Sequence, residues 1–421
     1  MIKKTFEKVN AELSIEKLKN GIDVYLYKTD TTKNFYLTIS VKYGACVTKY
    51  KTNNEIIDVI PGSAHFLEHK VMALSENKEI SKRINDLGSL ANAWTSYYGT
   101  NYNIFGSQNI KENLKILLDL FYNTDINEQN VEEEKGIIGE EVDMYKDKID
   151  YLMTYHLFDN LFHNSYIKNT VVGERTDLEK INSKLLNRIY KDYYSSNNTF
   201  IIITGNFDEE EIMNYINDHM DKLKLKPREL PKRIKPKEPD NVRVSYEEMQ
   251  KDVENDRVKY AIKINKKIFN IKDDSVLTDY LGIILSTNFS GTSKLYEKYK
   301  LNKLIISMGY GLNIIDDHLI ITINASTKNP NEFIKNIKKD IKKLKLNKSE
   351  FERHKKIYLK NYITDFDNIE DVEYIISASL MKYNRLDFDD YSKIINMSYE
   401  EAMRILSLIT FDNASIIKTI K

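Results

Sequence analysis

Four of the chain's six prolines, Pro227, Pro231, Pro236 and Pro239, fall in one stretch, KLKLKPRELPKRIKPKEPD, near the midpoint of the 421 residues. Clustered prolines among charged residues continue neither a helix nor a central strand, and form an extended, solvated connector. The chain is thereby divided into parts of near-equal size, 1–222 and 241–421, joined by 223–240. Each part is long enough to bury its own core. Division at the midpoint suggests duplication. An offset of 220 residues lays Lys111–Lys135 over residues 331–355 without a gap. It pairs Glu112 with Glu332, Leu114 with Ile334, Leu117 with Ile337, Ile126 with Leu346, Asn127 with Asn347 and Val131 with Phe351. Two helical patterns and the loop between them match, so two homologous domains are expected.

Each part opens on strand patterns and continues with helical ones. LSIEKLKNGIDVYLYKT carries Asn20-Gly21 between alternating segments, a hairpin signature. KNFYLTISVKYGA, SLANAWTSYYGTNYNIFG and TFIIITGNF read as strands, as do VKYAIKINK and LIITINAS in the second part. Ala64–Ala73, Glu76–Leu87, Lys111–Tyr122 and Glu132–Lys146 place apolar residues at three- and four-residue spacing and read as helices. Strands and helices without strict alternation predict an α+β fold, each domain a mixed or antiparallel sheet with helices packed on one face.

Lys+Arg and Asp+Glu both number 63, so the formal net charge is zero and no bulk field draws the chain to nucleic acid or an anionic membrane. The N-terminal MIKKTFEKVNAELSIEKLKNG lacks the apolar core of a signal peptide, and no apolar run approaches membrane-spanning length. A soluble, cytoplasmic protein is expected, with neither nucleic acid nor membrane as partner. The single cysteine, Cys46, cannot form an intramolecular disulfide or a Cys-based zinc site and reads as a small buried residue. Seven histidines remain as the source of metal chemistry.

Two of them stand in Pro61-Gly62-Ser63-Ala64-His65-Phe66-Leu67-Glu68-His69, an H-x-x-E-H motif. On a helix, residues four apart share a face, so His65 and His69 can present two imidazoles to one metal ion while Glu68 leans over the same site. A catalytic zinc takes three protein ligands and keeps a fourth position open, which calls for a further carboxylate. VEEEKGIIGEEVDMYKD offers Glu132, Glu133, Glu134, Glu140 and Glu141. Glu134 and Glu141, seven apart, share one helix face with Ile137 and Ile138, while Glu140 turns about 100° away from Glu141. Glu132, Glu133 and Glu140 are left to a solvated surface.

GSAHFLEH, GSLANAWTSYYGTNY, EKGIIGEEVDMYKD, VVGERTDLEKI and YYSSNNTFIIITGNFD, in that order, resemble the insulinase, pitrilysin and mitochondrial-processing-peptidase family of zinc peptidases, in particular its short bacterial YmfH-like branch. The resemblance implies a Zn2+ cofactor held by His65, His69 and Glu141, with Glu68 as general base and Glu134 behind the ligands to orient one of them. It implies a catalytic domain over 1–222 and a degenerate homologue without a metal site over 241–421, together half of a clamshell. It further implies that an edge strand, here Ala91, Asn92, Ala93 and Trp94, binds peptide substrates as an added strand.

One segment departs from the family pattern. Where active members carry an Arg and a Tyr that stabilise the oxyanion, KLYEKYKLNKLIISMGYG puts Lys300 and Ile306, with Tyr299 and Tyr310 in reach of a shifted register. A dimer is therefore expected, either with itself or with a homologous subunit that has lost zinc ligands but kept the oxyanion pair. The resemblance therefore implies a zinc metalloendopeptidase for peptides, unfolded segments or a precursor. The alternative is a non-catalytic structural or assembly subunit of a heteromeric peptidase-like complex. The remaining histidines, His156, His163, His219, His318 and His354, read as structural or surface residues.

Overall fold

A computed structural model describes residues 1–72, 78–386 and 388–420. Two compact units emerge. Unit 1 comprises residues 1–144, 169–235 and 363–389, and unit 2 comprises 145–168, 236–362 and 390–421.

Unit 1 is built on a seven-stranded sheet. β1 (Ile2–Phe6), β2 (Ala11–Lys17), β3 (Asp23–Lys28) and β4 (Phe35–Val41) enter it first, and β5 (Lys49–Thr52) and β6 (Glu55–Asp58) form a separate small sheet. β7 (Leu90–Thr95), β8 (Thr100–Gly106) and β9 (Thr199–Gly205) complete the order β1-β2-β3-β9-β4-β8-β7. The Asn20-Gly21 hairpin forms as expected, with Lys17 opposite Asp23. β9 runs parallel to β3 in the middle of the sheet, and all seven of its residues are buried, which is why TFIIITG is continuously apolar or small.

Alternation along β8 divides the core. Tyr102 packs edge-on against Phe121 of α3 (Ile110–Tyr122), with ring centroids 5.5 Å apart, while Asn101 on the opposite face donates to Glu373 at 2.9 Å. The helices of the first half thus cover one face, and the helix Ile369–Tyr383, drawn from the second half of the sequence, covers the other.

Unit 2 has a five-stranded sheet. β10 (Lys232–Arg233) joins the small sheet of unit 1, and β11 (Tyr246–Gln250), β12 (Asp256–Asn265), β13 (Ser307–Ile315), β14 (His318–Thr327) and β15 (Ala414–Ile420) follow. Their order, β11-β15-β12-β14-β13, and their strand senses reproduce β3-β9-β4-β8-β7 of unit 1, including the parallel first pair. The helices repeat as well. α3 begins at Ile110 and its counterpart at Pro330, α4 (Glu128–Lys146) has its counterpart starting at Lys348, and α5 (Ile149–Leu161) has its counterpart starting at Ile369. The 220-residue offset holds at all three.

The compact units differ from the contiguous domains expected at 1–222 and 241–421. α5 packs on β12 and β15 of unit 2, whereas its repeat, Ile369–Tyr383, packs on β4 and β9 of unit 1. The connector is more anchored than a solvated tether. Lys232 and Arg233 pair with β5, and Glu238 meets the fully buried Lys263 ammonium at 2.7 Å, which also donates to the carbonyls of Leu161 (3.0 Å) and Pro239 (2.8 Å). Among the described residues no helix is long and apolar enough to cross a membrane.

Candidate metal centre

The helix carrying the motif, α1 (Ser63–Met72), is buried on almost every side, His69 alone being partly open. Its expected end at Ala73, and the expected start of the next helix at Glu76, lie outside the described residues. The helix is entered through Gly62 (φ +87°), whose backbone passes so close to Gly173 (φ +79°) that a Cβ on Gly62 would stand 2.8 Å from the Val172 carbonyl. A Cβ on Gly173 would stand 2.9 Å from that of Pro61. Only glycine fits both places, and the two separated segments PGS and VVG are thereby packed together at the start of α1.

One turn apart, the His65 and His69 rings lie 4.6 Å centroid to centroid. Both aim Nε2 at one oxygen of Glu141 on α4: His65 Nε2 is 3.5 Å and His69 Nε2 is 3.4 Å from Oε2. The three donor atoms lie within 4.8 Å of one another, and this is the one His/Cys/Asp/Glu group of that kind among the described residues. Donors about 2.1 Å from a shared tetrahedral zinc stand about 3.4 Å apart, so the Nε2–Oε2 spacings match three corners of such a site. His69 Nδ1 lies 2.8 Å from Glu134 Oε1, so Nδ1 carries the proton given to that carboxylate, and Nε2, which faces Glu141, is the nitrogen that a metal ion would take once its own proton is displaced. The residues fit a zinc ion.

Glu134 is almost fully buried while Glu141 is about a quarter exposed. The carboxylates expected to be solvated behave so. Glu140 is exposed and paired with Arg175, Glu132 is paired with Lys135, and Glu133 is exposed.

Burial, reinforced by the neighbouring His69, pushes His65 down to about 4. Burial also opposes charge on His69, but hydrogen bonds to Glu134 and Glu141 outweigh it and raise the group to about 9. Burial lifts Glu68 to about 7, although a hydrogen bond from Thr95 Oγ1 to its Oε2 works the other way. Thr95, the last residue of β7, is a contact that the sequence did not disclose. Its one sequence signal is the period-two alternation that puts it on the same strand face as Ala91 and Ala93.

Among the described residues β7 is an edge strand, paired with β8 alone. Ala91 and Ala93 are partly buried and Asn92 is exposed, with its Oδ1 accepting from the Ala93 amide at 2.9 Å. The Trp94 ring is engaged by Tyr374, with ring centroids 6.1 Å apart. In unit 2, Tyr299 is buried and donates to Asp340, Lys300 donates to the Ile306 carbonyl at 2.6 Å, and Tyr310 is half-buried on β13. Glu134 has its repeat position at His354, which is buried against Ser286 at 2.9 Å. His318 is buried beside Asp240, His156 pairs with Glu247, His219 pairs with Asp119, and the His163 amide donates to Glu238. Cys46 is buried.

Comparison with known proteins places the chain in a family. The model described as "Insulinase (Peptidase family M16)" matches residues 52–175, and that described as "Peptidase M16 inactive domain" matches residues 180–358. The chain is 27% identical to the uncharacterized zinc protease YmfH of Bacillus subtilis over 69% of this chain and 68% of that protein. It is 24% identical to a probable mitochondrial-processing peptidase subunit beta of Arabidopsis thaliana over 51% of this chain and 40% of that one. Its fold matches a putative M16-like peptidase from Alicyclobacillus acidocaldarius with a TM-score of 0.87 at 21% identity, covering 97% and 98% of the two chains.

Proposed function

Because the chain belongs to the M16 insulinase family of peptidases, we propose that it is a zinc-dependent endopeptidase hydrolysing peptides or unfolded segments in the cytoplasm. The observation that carries this reading is the convergence of His65 Nε2 and His69 Nε2 on Glu141 Oε2, with Glu68 one residue away from His69. Zinc, when held by these three residues, would act as a Lewis acid toward water and toward a peptide carbonyl. Glu68 would take the proton of the attacking water at Oε1, the oxygen that Thr95 does not engage, and pass it to the leaving amine. Its elevated pKa, near 7, suits a group that must both accept and return a proton at neutral pH. Glu134 would hold the His69 ring in the tautomer that keeps Nε2 available. The main chain of Ala91–Trp94 would take the substrate as an added strand, recognising backbone across varied sequences.

Lys300 and Ile306 occupy the segment from which the family's oxyanion donors come, and loss of one such donor typically costs 10²- to 10³-fold in rate. The active form is therefore a dimer, with itself or with a homologous subunit. The same two residues favour the second reading, a non-catalytic assembly subunit. Zinc content together with cleavage of a quenched peptide, compared with Glu68→Gln, separates the two. Bound zinc without Glu68-dependent cleavage, candidate partners included, supports the second.

A further inference from the structure

α1 carries a lysine that is itself buried. Lys70 follows His69 directly, and its side chain has no exposure to solvent. Lysines are almost never fully buried unless something holds the ammonium. Lys70 Nζ donates to the carbonyl of Asn130 on α4 at 3.2 Å and faces Glu134 Oε2 at 3.9 Å, an ion pair too long to be a hydrogen bond. Asn130 and Glu134 are one helical turn apart, so the ammonium spans a single stretch of α4. The other carboxylate oxygen, Glu134 Oε1, meets His69 Nδ1 at 2.8 Å. The two oxygens of Glu134 are thus divided, one toward Lys70 and one toward His69.

We propose that Lys70 is a positioning residue for the metal centre: its ammonium holds Glu134 Oε2 so that Oε1 fixes the His69 ring with Nε2 directed at Glu141. This rests on the zinc reading of His65, His69 and Glu141. A carboxylate tethered at one oxygen has little freedom to rotate about its terminal torsion. Without the tether, one of the contacts that set where Glu134 points is lost, and the support of the ring is weaker. Sequence spacing did not single out Lys70, because a lysine at a helix position reads as solvated until its neighbours are known.

The test measures zinc affinity of the full chain by competition with a chromophoric chelator, for wild type, Lys70→Met, Lys70→Arg, Glu134→Gln and the double variant Lys70→Met/Glu134→Gln. Lys70→Met is expected to bind zinc about 10-fold more weakly, in keeping with the effect of partners behind a ligand. Lys70→Arg keeps the charge and is expected to stay within about threefold of wild type. In the Glu134→Gln background, Lys70→Met is expected to change nothing further. That comparison retains its meaning if Lys70→Met alone fails to fold. Wild-type affinity in Lys70→Met overturns the inference, as does an equal loss in Lys70→Arg or a full further loss in the Glu134→Gln background. A wild-type chain that takes up no zinc overturns the metal-site reading and this inference together, whereas zinc uptake undiminished by Lys70→Met overturns this inference alone.

Discussion

His69 and Glu134 are joined at 2.8 Å through Nδ1 and Oε1, and that contact sets which nitrogen of His69 faces Glu141. It links the two sequence segments on which the candidate centre depends, the H-x-x-E-H helix and the acidic helix that follows much later in the chain. Partners of this kind act on metal affinity by fixing the ligand's tautomer and orientation.

Glu134→Ala removes that support without touching a donor. Zinc affinity is expected to fall 10- to 100-fold while the fold persists. Chelator competition beside far-UV circular dichroism checks it. Unchanged affinity would mean that the contact serves packing alone.

Thr95→Val keeps the volume of the side chain and deletes the hydroxyl that donates to Glu68. That hydrogen bond works against the burial-driven rise of the Glu68 pKa, so its loss moves the pKa further above about 7. The acid limb of the kcat/KM profile is expected to shift to higher pH, with kcat near neutrality down roughly 10-fold. A profile superimposable on wild type would remove Thr95 from the account.

Glu373 lies on the helix Ile369–Tyr383, inside unit 1, with Asn101 as a hydrogen-bond partner and almost no exposure. Burial raises its pKa from the usual carboxylate value to about 7. The folded chain therefore binds more protons at this residue than the unfolded chain between about pH 4.5 and 7. The contribution is complete below pH 4.5 and is lost as pH rises through 7. Relative to wild type, Glu373→Gln is expected to gain about 2 kcal/mol between pH 5 and pH 8, measured by urea unfolding at both. A constant difference between the two proteins at both pH values would contradict the assignment.

If Lys300 and Ile306 do not serve as oxyanion donors, assembly must complete the site. Specific activity is expected to rise with protein concentration, or on adding a homologous partner, in step with dimer formation followed by size-exclusion chromatography with light scattering. A stable, fully active monomer would refute the dimer.

The features legible in the sequence were those carried by local spacing. His65 and His69 share a helix face because they are four apart, Glu134 and Glu141 because they are seven apart, and the repeat survives as helices starting at Glu128 and Lys348. Thr95 and Lys70 act across elements, one from strand to helix and the other from helix to helix, so no spacing rule reveals them. The exchange of α5 and its repeat between the two units was equally hidden. An amphipathic pattern says that a helix covers a sheet but not which of two similar sheets it covers. Likewise, the burial of Glu238 against Lys263 follows from tertiary packing in a stretch whose composition reads as solvated.

The most direct measurement of the central claim is zinc per chain by mass spectrometry, alongside cleavage of a quenched unfolded peptide by wild type and Glu68→Gln. One zinc per chain is expected in both proteins, with cleavage reduced by about 10²-fold or more in the variant. Wild-type protein without zinc, or cleavage equal in the two proteins, would contradict it.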